Sequence, residues 1–303
     1  MAGTAETLSP IVLNPAGIGD FGRRHVILNG RTSKPMQMAS FTGPFSIKSV
    51  VAGRATWETA AGRYALTPGQ HLILDRGTTY SLRIHGDRPV ETFCVFFRDG
   101  FVEEALRSLT KPEARLLDDP VERAESFALL EARHDSGDAP GPQLAALHRI
   151  VQEANVGSVR LSGALQDAAL SVVDRSSTLT RMSRRLPVAR PATRRELVRR
   201  LHQARDFMRS SLGESLSLDA IAHAACLSPF HFHRSFRAFF DETPHQFVIR
   251  LRLDRAADRL RRTNASVTEI ALAVGFESPA HFSRAFKTWF SCSPQTYRRK
   301  FGR

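Results

Sequence analysis

The chain has 303 residues and a formal net charge of +13, with 42% hydrophobic and 24% charged residues. This composition is typical of a folded globular protein and excludes collagen-like, low-complexity and disulfide-rich classes. The length suggests about two domains, because a single core rarely grows past roughly 250–300 residues. The three cysteines are far apart, and no basic-then-apolar signal segment or membrane-length apolar run is present. We therefore expect a protein of the reducing cytoplasm without a membrane partner.

Short strands are predicted in the first third of the chain. Residues 1–40 show weak periodicity, which predicts a partly irregular segment. From Phe41 to Phe97, glycine and proline residues separate short apolar or alternating runs. The runs predicted as strands are His71–Leu74, Tyr80–Ile84 and Thr92–Phe97. Closely spaced strands of this kind favour a small antiparallel β-barrel or sandwich.

A candidate ligand pocket follows from this strand pattern. The segment Gly62–Leu74, with Pro68-Gly69 between two strands, resembles the second half of a cupin core. Residues with an apolar body and a polar tip are its candidate ligand contacts: Trp57, Tyr64, His71 and Tyr80. The alternative is that each is a core residue whose polar tip is satisfied.

Beyond Gly100 the apolar period becomes helical. The predicted helices are Phe101–Leu109, Val121–Arg133, Gly141–Glu153 and Val159–Asp174. The apolar stripes of the last two either pack on the strands and on each other or contribute to a subunit interface. The following stretch lacks an apolar period and contains Pro187 and Pro191, which predicts an interdomain linker over 176–196. The predicted domains are therefore 1–175 and 197–303.

Positive charge is concentrated in the last two-fifths of the chain. After Thr180 there are 24 Lys and Arg residues against 10 Asp and Glu residues, whereas the preceding part holds 19 against 20. Nearly all of these cations are arginines, whose planar fork suits phosphate oxygens and guanine edges. A polyanionic partner is favoured, and a solvated surface or a coding bias toward arginine is the alternative.

An internal repeat lies in this basic region. Residues 218–228 align with 267–277 at an offset of 49 positions, and the aligned pattern then continues at an offset of 50. At that second offset, Phe232–Arg237 aligns with Phe282–Lys287. The repeat predicts two copies of one supersecondary unit.

Each copy has the pattern of a helix-turn-helix motif. Ser217 or Ser266 would cap a short first helix, and a longer second helix would begin near Pro229 or Pro279. The small Ala222 and Ala271 are placed where the two helices would cross. One uninterrupted helix, Pro244–Arg262, would join the copies. Such a spacer could hold the second helices about 34 Å apart, which is one turn of DNA.

The second copy carries a specific signature. Ile270-Ala271-x-x-Val274-Gly275-Phe276-Glu277-Ser278, Phe282-Ser283-Arg284-x-Phe286-Lys287 and Ser293-Pro294-x-x-Tyr297-Arg298 resemble the C-terminal signature of the AraC/XylS family of transcription regulators. The resemblance covers about residues 197–300.

The resemblance implies an α+β chain with two roles. An N-terminal small β-barrel or cupin-like domain with following helices would bind a small organic effector and form a homodimer. A C-terminal all-α domain would bind promoter half-sites of double-stranded DNA through two helix-turn-helix motifs. Activation is the expected direction of regulation, with RNA polymerase as a further partner and no cofactor.

Helical geometry and the resemblance together name the DNA contacts. Core stripes are expected from Phe232, Phe236 and Phe239 in the first copy and from Phe282, Phe286 and Trp289 in the second. The family's base-reading positions fall on Phe230, His233, Arg234, Pro279, Ala280, His281 and Arg284.

Among these, Arg234 and Arg284 are the expected base readers, each worth about 1–3 kcal/mol of discrimination if bidentate to guanine. Arg237 and Lys287, one turn further on, are expected at phosphates. Phe230 would touch a thymine methyl group or pack against the neighbouring helix. A surface ion pair is the alternative for each arginine.

Two other function classes remain as alternatives: a cupin-type metalloenzyme with a basic tail, and a basic RNA-binding or architectural protein. The strand region offers only His71 and His85, without the His-x-His of metal-binding cupins. Nucleophile-elbow, Walker A and dinucleotide-binding motifs are missing from the sequence. Cys94 is expected in the core and Cys226 in a buried turn. We therefore expect no catalytic residue and no metal site.

Overall fold

The computed structural model of the protein describes residues 11–14, 19–86, 88–110, 133–135, 137–153 and 157–302. The chain divides into two units, Met1–Arg181 and Met182–Arg303. The first unit contains β-strands and helices, and the second is helical in its described residues. The predicted α+β layout is therefore confirmed. No helix in the described ranges has both the length and the apolar character needed to cross a bilayer.

The strands of the first unit lie in two sheets. They are β1 Ile11–Leu13, β2 His25–Thr32, β3 Met36–Thr42, β4 Ser46–Ala52, β5 Ala55–Thr59, β6 Gly62–Leu66, β7 Gln70–Leu74, β8 Thr79–Ile84, β9 Val90–Phe96 and β10 Arg133–Asp135. One sheet has the order β1-β2-β9-β4-β7-β10 and the other the order β3-β8-β5-β6. The sheets do not close into a barrel, so the layout is that of a sandwich.

The three strands predicted from apolar patterning are confirmed as β7, β8 and β9. The expectation of a partly irregular segment over 1–40 holds for residues 19–24, which form turns and an isolated bridge, but β1, β2 and the start of β3 are regular strands. The sequence did not indicate β2 and β3, because β3 has no buried residue and the second half of β2 is partly or fully exposed. Strands of this kind show no apolar alternation in the sequence.

Two apolar layers cover the larger sheet. Leu72 and Phe96 on its inner face share a buried cluster with Trp57 of the smaller sheet. Its outer face packs on the helices of this unit through Ile73 and Phe93 among others. Strand β4 is consequently buried on both faces, which places any polar side chain on its inner face away from water.

The described helices that begin in the first unit are α1 Phe101–Thr110, α2 Gly141–Val151 and α3 Ser158–Ser183, and the last two residues of α3 belong to the second unit. The apolar stripes of α2 and α3 belong to the same buried cluster as the outer face of the sheet, which confirms packing on the strands. The predicted helix Val121–Arg133 lies outside the described residues except for Arg133, which begins β10.

The segment 176–196 does not form the linker predicted from its composition. Helix α3 continues through Ser183, and the next helix begins at Pro191, so only 184–190 separate them. The Ser, Thr and Arg residues of 176–183 mostly face solvent or are partly buried. A helix end with this exposure lacks the apolar stripe by which helices are found in sequence.

The described residues of the second unit form helices, and the order of a short helix, a longer helix and a following helix occurs twice. They are α4 Pro191–Ser210, α5 Leu218–Ala224, α6 Pro229–Phe240, α7 Pro244–Arg262, α8 Val267–Ala273, α9 Pro279–Phe290 and α10 Pro294–Phe301. The predicted joining helix has the observed bounds of α7. Ala222 and Ala271 are fully buried, as the close helix crossings require.

The repeat extends to unusual backbone angles. The turn after α5 has Cys226 at φ 52°, and the equivalent turn after α8 has Gly275 at φ 97°. The residues that end α6 and α9, Asp241 and Ser291, have φ values of 61° and 58°. Cys226 is exposed, so the expectation that it is buried in its turn is wrong. The turn is formed by the backbone conformation of Cys226, and its side chain lies at the surface.

Gly275 is predicted to be much less tolerant than its counterpart. An added Cβ would collide with the Leu212 carbonyl oxygen and lie 2.8 Å from the Arg252 guanidinium. We expect Gly275→Ala to lower the free energy of unfolding by more than about 1 kcal/mol, since the left-handed backbone alone costs that much. Cys226→Gly should change it by less than about 1 kcal/mol. Urea denaturation of the two variants checks this, and an unaffected Gly275→Ala variant would contradict it.

Candidate nucleic-acid interface

The two second helices begin in the same way. The hydroxyl of Ser228 accepts a hydrogen bond from the His231 backbone N–H, and the hydroxyl of Ser278 accepts one from His281, both at 3.4 Å. Proline follows each capping serine at the first helical position. The N-terminal turns of α6 and α9 therefore present equivalent surfaces.

Aromatic contacts fix which face of each helix is buried. Phe236 packs on Phe247 of α7 with ring centroids 5.7 Å apart, and the equivalent Phe286 packs on Tyr297 of α10 at 5.4 Å. Phe232 and Phe282 are likewise fully buried. Because the apolar stripe is fixed, the opposite face of each helix is directed outward.

Trp289 departs from the predicted core stripe. Its equivalent Phe239 is fully buried and packs on His202 of α4, but Trp289 is 51% exposed. Burial raises the pKa of the Asp254 carboxyl on α7, the charge of Arg250 opposes that rise, and a hydrogen bond from Trp289 adds a smaller opposing effect. The indole thus has a polar partner at the edge of the core, and the prediction of a core residue is wrong.

The predicted DNA contacts lie on the outward faces. Phe230, Arg234, Arg237, Ala280, His281, Arg284 and Lys287 are exposed, and His233 and Pro279 are partly buried. Phe230 is 77% exposed, so its ring is not packed against the neighbouring helix, which was one of the two roles expected of it. His231, two residues before His233, is exposed.

Several other arginines of this unit form hydrogen bonds or ion pairs within the fold. The Arg252 guanidinium donates to the Leu212 carbonyl at 3.0 Å, and Arg200 donates to the carbonyl of Cys226 at 3.0 Å. Arg250 pairs with Glu242 at 2.7 Å. These residues hold turns and helix ends in place.

Glu196 shows the strength of such pairing. Arg199 and Arg200 both contact its carboxylate, at 2.6 and 2.8 Å. The hydrogen bond from Arg199 is the largest of the effects that lower the pKa of Glu196 to about 2. The positive charge of these two arginines is therefore partly neutralised within the fold.

The cations on α6 and α9 differ from these. Within the part of the chain that the structure describes, the side chains of Arg234, Arg237, Arg284 and Lys287 have no ion pair and no hydrogen bond. The first two line a shallow surface depression together with Phe230, His233, Arg185, Ala238 and Asp241. Two equivalent helix faces thus carry cations with their donor groups available.

The structure brings three of the four predicted ligand contacts together. Trp57 and Tyr64 are cross-strand partners, and both lie with Tyr80 in the core between the sheets. His71 alternates with Leu72 along β7 and is therefore on the other face of that sheet. There it stacks on His134 with ring centroids 5.3 Å apart, and burial lowers its pKa to about 4.

Lys48 is a buried polar residue that the sequence did not indicate. It lies on the inner face of β4, opposite Leu72 and Cys94 in the register, and is 1% exposed. Its ammonium donates to the Tyr80 hydroxyl at 2.9 Å. Burial lowers the pKa of Lys48 to about 7. In the sequence, Ser-Ile-Lys-Ser-Val reads as a strand with lysine on a solvent face.

The described residues contain no group of three or more His, Cys, Asp or Glu side chains arranged to hold a metal ion. Cys94 is buried, as expected of a core residue, and burial raises the pKa of its thiol.

Comparison with known families assigns both parts of the chain. Residues 41–157 match the AraC-like ligand binding domain, and residues 221–300 match a helix-turn-helix domain.

Individual relatives match only part of the chain. The HTH-type transcriptional regulator ArgR of Pseudomonas aeruginosa is 35% identical over 96 residues, which are 32% of this chain and 29% of that protein. The regulator CdhR of the same organism is 49% identical over 61 residues, 20% of this chain and 18% of that protein. This chain therefore covers less than a third of the length of either relative. A crystal structure of an AraC-type transcriptional regulator from Chromobacterium violaceum has 33% identity and a TM-score of 0.32, covering 33% of this chain and 90% of that one.

The lowered pKa of Lys48 predicts a pH-dependent stability. Because the folded state binds fewer protons than the unfolded state between about pH 7 and 10.5, this lysine destabilises the fold less as the pH rises. Relative to Lys48→Met, the wild type should gain up to about 1.4 kcal/mol per pH unit above pH 7. Denaturation followed by Trp57 fluorescence, with Trp289→Phe in every variant, measures this.

Lys34→Met, which removes an exposed lysine, is the control and should show no such trend. A stability difference between the wild type and Lys48→Met that stays constant from pH 7 to 9 would contradict the prediction.

Proposed function

Because the chain belongs to the AraC/XylS family of transcription regulators, we propose that it is a sequence-specific DNA-binding regulator whose N-terminal unit binds a small organic effector. The observation that carries the proposal is the pair of equivalent helices, α6 and α9, each with exposed cations that the described part of the chain leaves without ion pairs. Such cations would meet phosphates and guanine edges in a major groove.

The division of labour among these residues follows from their positions. Arg234 and Arg284 lie in the second turn of their helices, where a side chain reaches base edges when the helix N-terminus enters the groove. Arg237 and Lys287 lie one turn further on and would contact the backbone. Phe230 would contact a thymine methyl group, which suits an exposed aromatic ring. Pro279, Ala280, His233 and His281 complete the groove-facing surface.

The effector would act by its different affinity for two arrangements of the regulator. A ligand shifts an equilibrium only as far as it binds one state better than the other. We propose a homodimer whose paired helix-turn-helix motifs occupy promoter half-sites, with activation through contact with RNA polymerase. The family match over 41–157 supports the effector site.

Removal of a base-reading arginine should weaken DNA binding selectively. We expect Arg234→Ala and Arg284→Ala each to reduce affinity by about 5- to 150-fold for DNA that the wild-type protein selects from its source genome, because each removes a bidentate contact of about 1–3 kcal/mol. Fluorescence anisotropy at fixed salt measures the affinity.

Arg63→Ala removes the same charge from the N-terminal unit, where Arg63 pairs with Glu58, and should leave the affinity unchanged. Equal binding by the wild type and by a variant that combines Arg234→Ala with Arg284→Ala would refute the proposed site. Displacement of the DNA by structured RNA at equal concentration would favour an RNA-binding protein instead.

Removal of a phosphate contact should act on all sequences alike. For Arg237→Ala and Lys287→Ala we expect the slope of log affinity against log salt concentration to become shallower by about 0.9, since one fewer phosphate is neutralised. The ratio of selected to unrelated DNA should stay the same. Titrations at four salt concentrations test this, and an unchanged slope in both variants would exclude a phosphate contact.

A further inference from the structure

The inner core of the N-terminal unit contains an incompletely coordinated cation. Lys48 has three N–H donors, and its hydrogen bond in the described residues goes to the Tyr80 hydroxyl. The nitrogen also lies 3.5 Å from the Phe96 ring centroid and 4.5 Å from that of Tyr80. Aromatic faces attract an ammonium but do not neutralise it. The described strands place no carboxylate against this group.

A second polar group lies nearby on the same strand face. Ser46 is two residues before Lys48 on β4 and is fully buried, and its hydroxyl has no hydrogen-bond partner among the described residues. Residues two apart on a strand point to the same side, about 6.7 Å apart. Phe96 lies opposite Ser46 in the register, so its ring is beside both polar groups. Buried polar groups are ordinarily fully paired, so among the described residues an unpaired hydroxyl beside an ammonium with one hydrogen bond is informative.

The surrounding residues are apolar and aromatic. Phe21 packs edge-on against Phe96 and Phe41 at 4.5 and 5.4 Å, and Phe41 packs on Tyr80 at 5.8 Å. Phe21 and Phe41 are partly exposed, so the ring cluster extends from the surface to the ammonium. Strand β3, which carries Phe41, is at the edge of its sheet, and its pairing with β8 shifts register between Met38 and Phe41. Bulged edges are frequent beside binding sites.

We propose that Lys48, assisted by Ser46, binds the acidic head of the effector, and that the effector is a small organic monocarboxylate with an apolar body lying among Phe21, Phe41 and Phe96. The inference rests on the proposed effector-binding role of the N-terminal unit. A carboxylate supplies the acceptors that the ammonium and the serine hydroxyl lack, and it neutralises the buried charge.

Calorimetry on the full chain without DNA tests the proposal. The probes are phenylacetate and octanoate, each compared with its neutral amide at pH 6. We expect at least one carboxylate to bind tenfold or more tightly than its amide. Lys48→Met should bring the two affinities within about twofold of each other, and Ser46→Ala should weaken the carboxylate several-fold. Lys34→Met is the matched control and should retain the full preference.

The pH profile provides a second readout. Besides Lys48, the titratable groups that face this site are Tyr80 on β8 and Cys94 on β9, and burial raises the pKa of both, so they stay neutral from pH 6 to 8. The neighbouring β7 presents the apolar Leu72. Because the pKa of Lys48 is about 7, carboxylate affinity should be about tenfold weaker at pH 8 than at pH 6, and amide affinity should not change.

Failure of this inference is distinguishable from failure of the proposed DNA site. The Arg234→Ala/Arg284→Ala variant should bind the carboxylate like the wild type, and Lys48→Met should bind selected DNA like the wild type in the absence of effector. If no carboxylate binds more tightly than its amide, or if Lys48→Met retains the preference, the inference is overturned whatever the DNA measurements show.

Discussion

The aromatic contacts beneath α6 and α9 are the constraint on which the C-terminal unit depends. Phe236 on Phe247 and Phe286 on Tyr297 repeat the same packing, with centroids 5.7 and 5.4 Å apart. Large buried rings of this kind contribute most of the energy of a small core. By fixing the inward face of each helix they also fix the outward one, so the same residues that stabilise the fold position the proposed DNA contacts.

Arginine has two separate uses in this unit. Arg200 and Arg252 donate to backbone carbonyls at turns and loops and are part of the architecture. Arg234 and Arg284 have no such partner in the described residues and lie on the outward face of the repeated helices. The net charge alone therefore overstates the charge available to a polyanion. What distinguishes the proposed interface is which guanidinium groups the fold leaves unpaired.

Local signals made much of the fold predictable. Serine caps, first-turn prolines and the 49- and 50-residue offsets located the paired helices, because these features act within one or two turns of chain. Edge strand β3 and the solvated end of α3 were missed because neither has an apolar stripe. Lys48 was missed for a different reason. Its burial results from a second sheet covering the inner face of β4, which depends on pairing between residues far apart in sequence.

The central claim is that two helices of one chain enter successive major grooves on one side of a duplex. Hydroxyl-radical footprinting of the full chain on its selected DNA tests this most directly. We expect two protected patches on the same face, about 10 base pairs apart, with only the patch under α9 lost in Arg284→Ala. A single protected patch, or two patches on opposite faces of the duplex, would contradict the claim.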